Sequence, residues 1–313
     1  MCNLDRQIYR ILFENKLLKS NADEFQNLFE ALMKNRYGEN FCIVKPYGNI
    51  GDMKNDGFLR DSNVFFQVYG PEDITRSIDY AISKIKEDAY GLIAKWNNVK
   101  IIKYVVNDKF LGVRPDAYQL IDKLKTELSN LSSSLGIDVV LVSCADLENE
   151  FMRLTDEQMM AVVDSHYCNV SLEDGVDLSA IKELVDYILN IEVPSQQTSL
   201  FSPNYDLKIK KNCFSEIIAS RLKEAHLNAS DIEIFFLQYG EVVEEEIKDR
   251  FVSIYKNVKD NVPNTIEHYG DNIYYLIIDS IKPNNKRGTI AAIENLIAYY
   301  FECCDIFEAP KED

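Results

Sequence analysis

The chain has 313 residues, is 46% hydrophobic and 27% charged, and carries a formal net charge of −17. That length supports a full hydrophobic core plus a second module, and the apolar content excludes a disordered chain. Residues 1–100 carry 14 Lys and Arg against 14 Asp and Glu, so the whole excess falls on residues 101–313, with 20 against 37. A neutral first third and an acidic remainder lack the basic footprint with which a protein grips duplex nucleic acid unaided.

No run approaches the roughly 18 apolar residues of a membrane span. The opening, MCNLDRQIYRILFENKLL, reads as an amphipathic polar helix and not a secretory leader, so a cytoplasmic protein with no membrane partner is expected. Seven cysteines with no C-x-x-C pair read as reduced thiols.

Residues 4–18 have helical apolar spacing, and a second helix starts with Ser20 as N-cap and Asp23 and Glu24 in the first turn. Its buried stripe is Phe25, Leu28, Phe29, Leu32 and Met33. The segments FCIV and VFFQVY are rich in aromatic and β-branched residues and read as strands. Between them Gly48, Gly51 and Gly57, with Asn49, Asn55 and Asp61, suit tight turns. Ile74–Trp96 is helical, Lys100–Val106 a strand, a helix opens at Arg114-Pro115 and runs to about Leu135, and Asp138–Ser143 is a further strand followed by a helix from about Asp146.

Helices continue over 156–164 and 178–189. The stretch EVPSQQTSLFSPNY (192–205) reads as linker. Beyond it the chain is nearly all helical, over about 207–226, 229–259 and 264–304, with a break at Lys282-Pro283-Asn284-Asn285. Glu244, Glu245 and Glu246 read as a solvated helix face, and the dense apolar runs at 232–237 and 296–301 suit a bundle or an assembly surface. His166-x-Cys168 lacks the further spaced ligands of a zinc site.

The chemistry-bearing stretch runs from Phe41 to Glu72. The period of two sends Val64, Phe66 and Val68 to one face of the second strand and Phe65, Gln67 and Tyr69 to the other. Gln67 then stands beside the turn carboxylates Asp52 and Asp56, and two carboxylates with an amide oxygen are hard ligands suited to Mg²⁺ or Mn²⁺. A calcium loop, the nearest alternative, is excluded by Lys54 at a ligand position and by Asn63 where a bidentate Glu belongs.

The turn Gly51-Asp52-Met53-Lys54-Asn55-Asp56-Gly57, the strand Gln67-Val68-Tyr69 and the preceding helix with Gln26 and Glu30 resemble the active site of the PD-(D/E)xK, restriction-endonuclease-like nucleases, in their Mrr-related branch. The resemblance implies an α/β fold, a mixed sheet flanked by helices, over residues 1–165. A helical extension and linker (166–205) and an acidic all-helical docking or assembly domain (206–313) would follow. It also implies a metal-dependent DNA endonuclease in which Asp56, Gln67 and Asp52 hold Mg²⁺ or Mn²⁺, and Gln26 or Glu30 positions a ligand or a metal-bound water. Tyr69 occupies the family's lysine position, so Lys54 or Lys45 would have to bring the ammonium, or Tyr69 would assist as a hydrogen-bond donor.

A nuclease core followed by an acidic helical tail resembles the effector subunits of ABC three-component systems, including Lamassu-type anti-phage defence. That resemblance implies DNA as substrate, an SMC- or ABC-like ATPase and a small accessory subunit as partners, and a homo-oligomer when active. The alternative is a catalytically degenerate nuclease fold that binds DNA or protein.

Overall fold

The computed structural model describes residues 3–45, 53–71, 74–131, 136–164, 176–192, 205–302 and 306–310. Contacts divide the chain into one unit spanning Lys16–Val163 and another formed by Cys2–Asn15 with Asp164–Asp313; helix α1 (Asn3–Lys19) contributes to both.

In the first unit, helix α2 (Ala22–Tyr37) leads into strands β1 (Phe41–Ile43), β2 (Gly57–Leu59) and β3 (Val64–Tyr69), which pair antiparallel in sequence order. Helix α3 (Ile74–Lys95) then crosses over to β4 (Ile101–Val106), parallel to β3, and α4 (Pro115–Leu131) crosses over to β5 (Asp138–Val142), parallel to β4. Helices α5 (Cys144–Phe151) and α6 (Asp156–Val163) complete the unit. The five described strands form one mixed sheet in the order β1-β2-β3-β4-β5. The expected α/β class is therefore observed.

The sheet has two differently furnished faces because β3 alternates. Phe66 meets Phe29 of α2 and Phe41 of β1, with ring centroids 5.3 and 5.9 Å away. Phe65 points the other way, to Phe58 and Trp96 at 5.3 and 5.0 Å, in a core shared with Ile85, Ala89 and Leu92 of α3 and Leu124 and Leu128 of α4. Helix α2 thus covers one face, and α3 and α4 the other.

The strand β2 was not anticipated: a single long turn was expected between two strands, and the structure forms a meander. Its entry is a close approach, since a Cβ on Gly57 would stand 2.7 Å from Phe41 Cζ. The N-cap of α2 is Asn21, not Ser20, because the Ser20 N–H still bonds Lys16 O (2.9 Å) in the last turn of α1. Helix α5 begins two residues earlier than expected, on a capping box in which Ser143 and Asp146 satisfy each other's backbone N–H.

The second unit contains α7 (Leu178–Ile188), α8 (Tyr205–Lys211), α9 (Glu216–His226), α10 (Ala229–Tyr239), α11 (Glu241–Asn261), α12 (Tyr269–Ile281) and α13 (Arg287–Glu302). The helix expected over 207–226 is interrupted before Ser215, which caps α9 through its side chain. The one expected over 229–259 breaks at Gly240, where φ is +101°. The break after α12 falls where Pro283 predicts it. Helix α12 starts at Tyr269 and not at 264.

Helix α13 is buried on most of its surface, as expected of a helix at a core centre. Glu294 on it, 1% exposed, takes both arms of the Arg221 guanidinium at 2.5 Å and the Tyr274 hydroxyl at 3.0 Å. Glu244 is not simply solvated, since it accepts from the Tyr299 hydroxyl (2.5 Å). The apolar run on α10 is split: Phe235 and Phe236 are buried, while Ile234 and Leu237 are 50% and 74% exposed.

Candidate active site

Where β2 begins, the Asp56 N–H bonds Phe66 O (2.9 Å) and Asp56 O accepts from Val44 N (3.2 Å). Asp56 is thereby fixed across from Gln67, one step beyond the Gly57–Phe66 pair. The Val68 N–H donates to Asp56 Oδ2 at 2.7 Å, and Gln67 Nε2 donates to Lys54 O at 2.8 Å. That second bond makes Nε2 the donor and turns the amide oxygen into the atom left to meet a ligand. Asp56, Gln67, Tyr69 and Lys54 all line one cavity of about 220 Å³, closed on its far side by Lys84 and Asp88 of α3 and Tyr104 of β4.

Lys54 is held by α3. Its Nζ donates to Asp88 Oδ1 at 2.7 Å and lies 3.5 Å from Glu87 Oε1. Its stem runs over Gly91, where a Cβ would stand 3.1 Å from Lys54 Cγ. The hydrogen bond to Asp88 raises the lysine's pKa against the opposing effect of burial, so Lys54 stays charged. Tyr104 donates its hydroxyl to Ile85 O at 2.7 Å, and burial pushes its phenol well above the usual range, so it titrates nowhere near neutrality. The Trp96 indole N–H, 3.3 Å from Met53 O, ties α3 to the same turn.

The other residues singled out from sequence lie elsewhere. Gln26 sits on α2, which covers the Phe66 face, and its Nε2 donates to Glu30 Oε1 at 3.0 Å; the same oxygen accepts from Lys45 Nζ at 2.5 Å. This trio does not line the cavity of Asp56 and Gln67. Asp52, His166 and Cys168 fall outside the described residues.

Two further residues face the cavity. Asp88 is buried at 6% exposure, in register with the apolar stripe Ile85, Ala89 and Leu92. A carboxylate at a core-facing helical position was the signal that could have revealed it. Lys84, one turn earlier at i−4, is exposed and also lines the cavity.

The donor set suits a small hard cation. Asp56 and Asp88 supply carboxylates and Gln67 an amide oxygen, and Mg²⁺ is held by one or two carboxylates while keeping several waters. Among the described residues, no group of three His, Cys, Asp or Glu side chains forms a metal cage.

Comparison with known proteins bears on the second unit. Residues 179–308, from α7 through α13, match the family model of C-terminal domain 10 of the ABC-three component (ABC-3C) systems. The likeness is to that C-terminal domain, over those residues. The matched stretch covers less than half of the chain and leaves out the sheet and its cavity. No curated protein and no solved structure matches the chain. Among the described residues, no helix is long and apolar enough to cross a membrane.

Proposed function

We propose that this protein is the metal-dependent DNA endonuclease subunit of an ABC-3C anti-phage defence complex, held in check by an SMC- or ABC-like ATPase partner and working with a small accessory subunit. The observation that carries the reading is the convergence of Asp56 and Gln67 on one cavity beside the middle strand of a mixed sheet. The element order α2-β1-β2-β3-α3-β4 supports it, since it puts the acidic turn and the Gln-bearing strand side by side between two helical layers.

Asp56, Gln67 and Asp88 would hold Mg²⁺ or Mn²⁺, and Asp52 remains an expected ligand from the sequence. Bound there, the ion would supply a water of lowered pKa and shield charge on the phosphate. Asp56 is pre-aligned by the Val68 N–H, and Gln67 by Lys54 O, so neither side chain needs to reorganise when substrate arrives. Tyr69 can donate a hydrogen bond from its phenol to a phosphate oxygen. The neutral first third of the chain suits a nuclease that receives DNA from a partner, and the acidic ABC-3C-like stretch suits a docking role.

The test is plasmid digestion with Mg²⁺ or Mn²⁺, with and without the co-expressed partners. Wild type is expected to cut and Asp56→Ala to fall to background with its melting midpoint unchanged. A second reading, a degenerate nuclease fold that only binds DNA or protein, draws on Tyr69 in the lysine position and on Lys54 being neutralised by Asp88. It predicts duplex binding without cutting in both proteins.

A further inference from the structure

We infer that Lys84, on the helix after the central strand, supplies the positive charge that this site lacks at Tyr69, contacting a non-bridging oxygen of the phosphate to be cut. The inference rests on the nuclease reading above and assigns its missing cation. Four other lysines of the first unit are already engaged. Lys54 is engaged by Asp88 and Glu87 at 2.7 and 3.5 Å. Lys45 belongs to Glu30 at 2.5 Å on the α2 side, and Lys86 is paired with Glu127 at 2.8 Å. Lys103 sits over the Phe66 ring at 5.9 Å, again on the α2 side.

Lys84 lines the same cavity as Asp56 and Gln67, is exposed, and has no ion-pair partner among the described residues. It stands one helical turn before Asp88, so both project from the same side of α3. That placement sorts the two lysines of the cavity by task. Lys54 neutralises the buried Asp88 and fixes the turn, while Lys84 keeps a charge available to an incoming anion. A charge at the site with no ion-pair partner among the described residues suits transition-state stabilisation, because it gains its partner as substrate charge develops.

In the step itself a water oxygen bonds phosphorus and releases a proton to solvent, one P–O ester bond breaks, and the departing sugar oxygen takes a proton from solvent. The Lys84 ammonium offsets the charge gathering on the phosphoryl oxygens and takes no part in the proton transfers. Lysine also reaches this role from a helix as readily as from a strand, since its four-carbon stem lets the charge travel.

The experiment compares Lys84→Ala, Lys84→Arg and Asp56→Ala in plasmid cleavage, and adds a readout independent of turnover. That readout is acetylation of Lys84 followed by mass spectrometry, with and without a linear duplex oligonucleotide in Ca²⁺. Expected are a loss of about 10²-fold in cleavage rate for Lys84→Ala, partial recovery in Lys84→Arg, an unchanged melting midpoint, and protection of Lys84 by the duplex. Wild-type cleavage that Asp56→Ala abolishes and Lys84→Ala leaves intact overturns this inference and spares the nuclease reading. Equal acetylation with and without duplex overturns it too, as does a loss of cleavage matched by a fall in melting midpoint. A wild-type protein that never cuts, even with its partners, overturns both.

Discussion

The two units handle buried charge in opposite ways. In the second, Glu294 is surrounded by Arg221 and the Tyr274 hydroxyl, and the Lys208 ammonium, 1% exposed, is spent on Phe301 O and Ile306 O at 2.6 and 2.7 Å. Those groups answer to one another and leave nothing for a ligand. In the first, Asp56, Gln67, Lys84 and Asp88 line one cavity, where the Val68 N–H orients Asp56 and Lys54 O orients Gln67. Polar groups closed on themselves hold a domain together, while polar groups turned towards a cavity can bind and react.

The largest expected effect sharpens that contrast. Arg221→Ala strands a carboxylate inside the helical core and should destabilise the protein by about 3–5 kcal/mol, read by denaturant unfolding. A loss no greater than a surface pair gives would mean the Arg221–Glu294 pair is not a structural unit, and the comparison would fail. Lys208→Met comes next. It leaves two buried carbonyls without their donor at a cost of about 1–3 kcal/mol and loosens the C-terminal segment, which Asn212 also pins through Glu308. Exchange protection at Ile306–Glu308 would register it. An unchanged unfolding curve would show the lysine to be incidental.

The smallest effect is a pH dependence confined to the second unit. His268 Nδ1 lies 3.4 Å from Glu14 Oε1, with Arg10 and Glu267 as the other charged groups facing it. The Glu14 carboxylate raises the histidine's pKa above 6.5 despite the opposing burial. The folded state therefore holds that proton more tightly than the unfolded chain does. The stabilisation is complete below the unfolded value and is lost as pH rises through the folded one. Burial likewise raises the Asp271 carboxyl above 3.8, so its contribution has the same sign at lower pH. The unfolding midpoint should fall between mildly acidic and neutral pH, and His268→Gln should flatten that fall. A flat wild-type profile would show that Glu14 does not see the imidazolium.

Much of the sheet's side-chain pattern was legible because strand alternation is local. Val64–Tyr69 announces its two faces by residue type alone, and Asp56 and Gln67 follow from the turn and the strand between which they sit. Lys54 was legible as a cation near the turn. Its pairing with Asp88, from 34 residues further on, was not, because that contact exists only once α3 has crossed over the sheet.

The sequence by itself determined the α/β order, the two-faced strand, the acidity of everything after residue 100 and the helical breaks at proline, each set by neighbours a few residues apart. Tertiary structure decided the site's membership. By packing α2 on one face and α3 on the other, it removed Gln26 and Lys45 from the cavity and brought in Lys84 and Asp88. The physical reason is that which helix covers which face depends on the crossover between β3 and β4, a contact between distant segments that no local spacing records.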